Sequence, residues 1–339
     1  TAGAFSRNYQ FDPFGNIKDF SGVTLNYATD STGAPTTNRL TSDSVGLSYS
    51  YDAAGNMTAS GGQSYSYDGA NRLKTATNGT SSYGYDGDGK RVRKTENGSA
   101  VYYVYSSKLG QSVMEVTASS VQRAYVYIGS GKLVGMQATD GQFYWLHTNH
   151  LGNSRAMTDV NGNLAYKGQF DPYGQALTEW SSSGNTNLNS KKFTGYERDS
   201  ATGLDYANAR MYNSGRGRFM TPDGSGLKAA NLRKPESLNL YSYVQNDPVN
   251  WVDPTGLNLE YPGEGVCFRF HYSNPTTEQG YWGAWTCLGG GTGVSGGWVV
   301  TDEGSGTGNR TPKQKLVDRL ENLPQACIDA FGGQDKING

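Results

Sequence analysis

Apolar and polar positions alternate with a period of two along much of the chain, and the apolar partner is repeatedly tyrosine. The pair Tyr-x-Tyr recurs at Tyr49/Tyr51, Tyr65/Tyr67, Tyr83/Tyr85, Tyr103/Tyr105 and Tyr125/Tyr127. A spacing of two puts both rings on one face of a strand. Successive second tyrosines are 16, 18, 20 and 22 residues apart, so the pattern is an internal repeat. Three of the pairs run into Asp52-Ala-Ala-Gly55-Asn56, Asp68-Gly-Ala-Asn71-Arg72 and Asp86-Gly-Asp-Gly89-Lys90. An Asp that bonds its own backbone, followed by Gly or Asn in a left-handed conformation, makes a tight hairpin turn. The predicted unit is strand, turn, strand. Two strands cannot bury a face alone, so successive hairpins add side by side into one long antiparallel sheet. An ordinary β-sandwich is the competing arrangement, but it has no reason to repeat one tyrosine pair at nearly even spacing.

Composition sharpens this picture. A hydrophobic content of 35% alone suggests disorder, but 24 Tyr, 11 Phe and 6 Trp argue against it, and 47 Gly suit many short strands joined by turns. The core is then built from tyrosine rings, and each buried hydroxyl needs a partner. A length of 339 residues predicts two units. A net charge of −1 offers no nucleic-acid or anionic-membrane surface. No apolar run reaches the length of a membrane span. Thr1 to Gln10 lack the apolar stretch of a signal peptide, and both ends look cut, so any targeting signal is expected outside this segment. Cys267, Cys287 and Cys327 all fall in the last quarter, which allows an extracellular address without requiring one.

Further along, four stretches carry a family resemblance. They are Tyr144 to Asp159, Phe193 to Arg210, the box Gly217-Arg218-Phe219-Met-Thr-Pro222-Asp223, and Asn239 to Leu257. With the Tyr-Asp-x-x-Gly-Asn/Arg turns, they resemble the YD repeats and core region of bacterial Rhs proteins, the Tc toxin cocoon component and, more distantly, teneurins. The resemblance implies an all-β fold: a spiral antiparallel sheet, wound as part of a hollow shell, over residues 1–257. It implies a variable C-terminal tail, an effector fragment or a plug, over residues 258–339. A bacterial protein, secreted or displayed at the cell surface, is the implied setting. Its partners would be its own tail and a secretion apparatus or neighbouring surface protein, with no nucleic acid and no cofactor.

The resemblance also points to chemistry. In these families a carboxylate pair in the last two boxes, here Asp223 and Asp253, is an intramolecular aspartic self-protease. Two carboxylates held close cannot both ionise easily; the ionised one activates water while the protonated one polarises a carbonyl. The family's Pro-x-x-x-x-Asp-Pro-x-Gly-Leu motif, here Pro248 to Leu257, is cut after its leucine, which maps the scissile bond to Leu257–Asn258. Arg218 is expected to hold or orient Asp223. For the two boxes to meet, Tyr241 and Tyr243 must pack beside the Gly217–Phe219 strand. Here Gly224 follows Asp223 where the family box has proline. The plain alternative is a turn: Asp-Pro-x-Gly also occurs at Asp12 and Asp171. His147 and His150 are too few for a zinc site and are expected to make structural hydrogen bonds. A passive structural or adhesive surface protein without cleavage is the rival reading.

In the tail, Val266 to Tyr272, Tyr281 to Leu288 and Trp298 to Val300 read as strands, with glycine-rich links between them. Cys267 and Cys287 sit on the first two and could bridge. Thr311-Pro312 opens a short helix that Pro324 ends. The tail's nine acidic and six basic residues do not suit a nuclease. Trp282, Trp285 and Trp298 allow a glycan- or protein-binding role.

Overall fold

The computed structural model describes residues 6–128, 131–226 and 234–260, together with four short strands beyond them. By spatial grouping, Thr1–Tyr127 and Leu133–Glu260 form one unit, and Ile128–Lys132 and Tyr261–Gly339 fall in a second. The first unit is built from antiparallel strands. Among the described residues, helix is confined to short 3-10 turns such as Thr77–Gly79 and Val244–Asn246.

Within each sheet of this unit, strand order follows chain order. A four-stranded sheet runs from Tyr9–Phe11 to Pro35–Asp43, and a three-stranded one from Tyr49–Tyr51 to Gln63–Ser64. A twelve-stranded sheet runs from Ser66–Tyr67 to Ala176–Ser181 without a crossover. This is the hairpin-by-hairpin addition that the repeat predicts.

The turns repeat one hydrogen-bond scheme. At Asp12, Asp68, Asp86 and Asp171, the carboxylate Oδ1 accepts the N–H groups of the second and fourth residues that follow, at 2.8–3.0 Å. The carbonyl of the same Asp accepts the N–H of the third, at 3.0–3.1 Å. That third residue is Gly15, Asn71, Gly89 or Gly174, each with φ between 61° and 85°, the region that Gly and Asn tolerate best. The fourth residue reaches the next turn. Asn56 Nδ2 donates to Asn71 Oδ1 at 2.8 Å, and Arg72 Nη1 to the Asp86 carbonyl at 3.2 Å.

The tyrosine pairs share the inner face. The first ring of four pairs is buried (Tyr49, Tyr83, Tyr103 and Tyr125), while residues between the rings, such as Val104 and Val126, are exposed. The second ring of each of four pairs ties its strand to the preceding hairpin. Tyr67 Oη donates to the Met57 carbonyl at 2.7 Å, Tyr85 to Leu73 at 2.8 Å, Tyr105 to Arg91 at 3.1 Å and Tyr127 to Ser112 at 2.9 Å.

Residues 190–226 and 234–253 cover part of this inner face. Phe193, Tyr196, Tyr212, Phe219 and Tyr243 join Leu40, Met57, Leu73 and Tyr83 in one core. A buried ionic network links this cover to the sheet. Arg91 and Lys94 meet Glu197 and Asp199 at 2.8–3.1 Å, with the Arg91 guanidinium stacked 4.2 Å from the Tyr206 ring centre. Burial alone would raise Glu197, but Lys94 and Arg91 hold it well below the usual carboxylate range.

In the tail, Val266–Phe268 pairs with Thr286–Leu288 and His271–Ser273 with Gly280–Trp282. Cys267 lies opposite Cys287 in the register. Their side chains, the Trp298–Val300 strand and the Thr311 helix fall outside the described residues.

The hydroxyl ladder makes a direct prediction. Tyr105→Phe leaves the Arg91 carbonyl short of a partner and should cost about 1 kcal/mol. Tyr102→Phe, on an exposed ring next to it, should cost nothing measurable. Urea unfolding midpoints of the two variants against the parent check this.

Candidate functional site

Short strands assemble the site. Arg210–Asn213 pairs with Asp205–Ala207 on one side and Arg218–Phe219 on the other. The segment after Asn239 then docks on the Arg218–Phe219 strand. Phe219 N donates to the Tyr241 carbonyl at 3.0 Å, Arg218 bridges Ser242, and Asp223 N donates to the Leu240 carbonyl at 2.9 Å. The Phe219 and Tyr243 rings stand 6.1 Å apart. The tight turn at Asn208 receives the last box: Ala209 N donates to the Thr255 carbonyl at 3.0 Å and Asn208 Nδ2 to that of Pro254 at 2.8 Å.

One side chain joins what these contacts bring together. Arg210 is buried, its guanidinium 3.6 Å from the centre of the Phe219 ring. Its Nη2 lies 3.2 Å from Asp223 Oδ2 and 3.4 Å from Asp253 Oδ2. Nη1 donates to the Leu240 carbonyl at 3.0 Å, and Nε donates to the Gly256 carbonyl. The planar fork thus meets both carboxylates and both chain segments that carry them, which a lysine could not do.

Asp253 departs from the turn scheme seen elsewhere in the chain. Its Oδ1 accepts the N–H groups of the fourth and fifth residues that follow, Leu257 and Asn258, each at 3.0 Å. The second residue, Thr255, instead offers its hydroxyl at 3.4 Å. The amide nitrogen of the Leu257–Asn258 bond therefore sits on the Asp253 carboxylate. The backbone there is tightly seated. Gly256 has φ 75°, and a Cβ on it would come within 2.3 Å of the Ala207 carbonyl oxygen. Tyr196 Oη donates to the Asp253 carbonyl. Beyond the bond, Val252 N donates to the Glu260 carbonyl at 2.9 Å, and Glu260 N to that of Val252 at 2.6 Å.

The electrostatics separate the groups. Burial raises the Asp253 carboxyl above its ordinary value, with Arg210 and the Asn258, Leu257 and Gly256 N–H groups pulling the other way. Burial raises Glu260 as well, and the Asp253 charge adds to this. Burial lowers Arg210, against the pull of Asp223 and Asp253. Asp223 is the more open carboxylate: its side chain is 16% exposed, against 5% for Asp253.

Asp223, Asp253, Leu257 and Asn258 thus come together, and Arg218 does not join them. Successive residues on a strand point to opposite faces. Phe219 takes the face of Arg210, so Arg218 turns away, donating to Tyr27 Oη at 2.9 Å and to the Asn38 carbonyl. The arginine at the site is Arg210, which sequence reasoning passed over. A lone cation in the apolar run Ala207–Tyr212 was the available signal. His147 Nε2 pairs with Thr158 Oγ1 at 3.0 Å and His150 Nε2 with the Val249 carbonyl at 3.2 Å. Among the described residues no helix is long and apolar enough to cross a membrane.

Known proteins resemble much of the chain. The teneurin YD-shell family model matches residues 2–249. The tRNA nuclease WapA of Bacillus subtilis is 33% identical over 260 residues, covering 73% of this chain and 11% of WapA. The double-stranded DNA deaminase toxin A of Burkholderia cenocepacia is 34% identical over 113 residues, covering 32% of this chain and 7% of that protein. The crystal structure of TcdB2-TccC3-Cdc42 superposes on 74% of this chain and 13% of its own with a TM-score of 0.56 at 22% identity, a likeness of fold. The chain therefore spans about a tenth of the length of the curated relatives it matches over most of its own.

Arg210 should be the most sensitive of these positions for stability. Arg210→Leu leaves two largely buried carboxylates without their shared cation, and should cost roughly 3–5 kcal/mol. Arg210→Lys should recover only part of the loss. Denaturant midpoints at neutral pH measure both.

Proposed function

Because the chain belongs to the teneurin YD-shell family, we propose that it is the closing end of a shell that presents a C-terminal effector and frees it by cutting its own Leu257–Asn258 bond. One observation carries this reading: Asp253 Oδ1 holds the amide nitrogen of that bond at 3.0 Å, while Oδ2 is linked through Arg210 to Asp223. A turn aspartate needs no second carboxylate. The toxin names of its relatives favour an effector in the tail over a plug. The partners are then the protein's own tail and, for export, a secretion apparatus or a neighbouring surface protein. Cys267 and Cys287, opposite each other on paired strands, suit a disulfide in an oxidising setting.

The geometry supports these roles. Asp253, raised by burial and seated on the leaving nitrogen, is the general acid that protonates Asn258 N. Asp223, the more open carboxylate, takes a proton from the attacking water. Arg210 holds the two in place and ties the turn through the Gly256 carbonyl, so it is a positioning residue. The reaction is intramolecular and turns over once.

A passive shell is the second reading. Arg210 between the carboxylates favours two anions over a shared proton, which suits a structural clamp as well as a protease.

Denaturing gels with N-terminal sequencing decide between them. The parent should yield a piece starting at Asn258. Asp253→Asn and Asp223→Asn should fold and stay uncut, whereas Asp171→Asn, at a plain turn, should be cut like the parent. An intact parent would establish the passive shell, whereas aspartate variants cut at the parental rate would overturn the carboxylate pair and leave Asp253 a turn residue like Asp171.

A further inference from the structure

Hydrolysis leaves a new charge in a place that is already occupied. Water adds across Leu257–Asn258: its hydroxyl goes to the Leu257 carbonyl carbon, and a proton goes to the Asn258 nitrogen. At neutral pH the products are a carboxylate on Leu257 and an ammonium on Asn258. Leu257 is 37% exposed, so its carboxylate can turn to water. The ammonium has no such need, because its nitrogen already lies 3.0 Å from Asp253 Oδ1.

We propose that Asp253, after the cut, becomes the clamp for the new N-terminus. Its carboxylate keeps the Asn258 ammonium where it held the amide, and the Asn258–Glu260 segment stays bonded to Val252. This rests on the cleavage proposed above. Three observations support it. The two backbone bonds between Val252 and Glu260 span the cut and survive it. Asp253 has two oxygens with separate tasks: Oδ2 faces Arg210, while Oδ1 already accepts from the Asn258 nitrogen that becomes the ammonium. The charges left by the cut also balance. With both carboxylates ionised, Asp223, Asp253 and Arg210 carry one excess negative charge, and the ammonium cancels it. A buried ion pair of this kind strengthens where one excess charge is removed.

The clamp makes retention depend on pH. The charged or titratable groups facing Asp253 are Arg210 and, through it, Asp223; Tyr196 on its carbonyl; Tyr243; Glu260; and the new ammonium. Of these, Asp253 and Glu260 lose charge on the acid side and the ammonium on the alkaline side. Retention is strongest between the two and is lost as pH falls through the Asp253 value or rises through that of the ammonium. The cut and the release of the cut end are then separate events, the second set by proton concentration.

The test titrates the new amine in the cut, folded full-length protein. Competitive acylation with acetic anhydride between pH 6 and 10, read by mass spectrometry on the peptide starting at Asn258, gives its pKa. An ordinary α-amine titrates near about 7.7–8.0. The clamp predicts a rise of at least about one unit, and so roughly tenfold slower acylation at pH 6, where both the ordinary and the clamped amine are mostly protonated. Glu260→Gln, which keeps the backbone bonds, should retain the raised value. Glu260→Pro, which removes the N–H bonded to Val252, should be cut normally and return the amine to its ordinary value. An ordinary value in the cut parent overturns the clamp and leaves the cleavage standing. A raised value in Glu260→Pro overturns the part assigned to the Val252 contact. A chain found intact on a denaturing gel overturns both the clamp and the cleavage.

Discussion

The sheet depends on one recurring bond: a tyrosine hydroxyl donated to the carbonyl that follows the preceding turn. Tyrosine offers a large ring to bury, but its hydroxyl costs a few kcal/mol if it enters a core without a partner. Here the second ring in four of the five pairs buries its face while its oxygen reaches back 10 to 15 residues to Met57, Leu73, Arg91 or Ser112. The bond selects the face that the strand must present. A one-residue slip would turn the ring to solvent and leave the carbonyl open. The aspartate turns set where each strand begins, and the tyrosines set how far it lies from the one before.

This division explains what could be read from the chain alone. Tyrosine pairs and Asp-x-x-Gly turns are local: every partner lies within a few residues or one hairpin, so spacing in sequence is spacing in space. The all-β architecture, the sequential strand order and the shared face of the rings were legible for that reason. The approach of Asp223 to Asp253 came through the family boxes and not through any local rule. Arg210 was hidden because its partners are Asp223, Leu240, Asp253 and Gly256, and only the register of three short strands brings them together. Arg218 misled through proximity in sequence: it stands close to Asp223 in the chain, yet strand alternation sends it to Tyr27 and Asn38.

The part of the chain that covers the inner face uses different physics. Arg91, Lys94, Glu197 and Asp199 are almost fully buried, and such networks are costly to desolvate. Their value lies in specificity, because a displaced cover would leave several charges unpaired in an apolar surrounding. Aromatic packing of Phe193 on Tyr212, 5.8 Å apart and nearly parallel, supplies the apolar contact that offsets part of that cost. The same cover carries Arg210 and receives the last turn, so the placing of the carboxylates is inherited from the placing of the cover.

The reach of the hydroxyl ladder has a consequence for how such a sheet can change over generations. Each hairpin has its polar needs met by its immediate predecessor, and the fourth residue of its turn serves its immediate successor. A whole hairpin can therefore be duplicated or lost in the middle of the array, and the neighbours on either side will find an equivalent carbonyl and an equivalent turn waiting. Growth by complete hairpins leaves every bond type intact, while growth by a single residue breaks several. The length of such a sheet is thus adjustable in discrete steps, independently of the carboxylate pair that Arg210 joins.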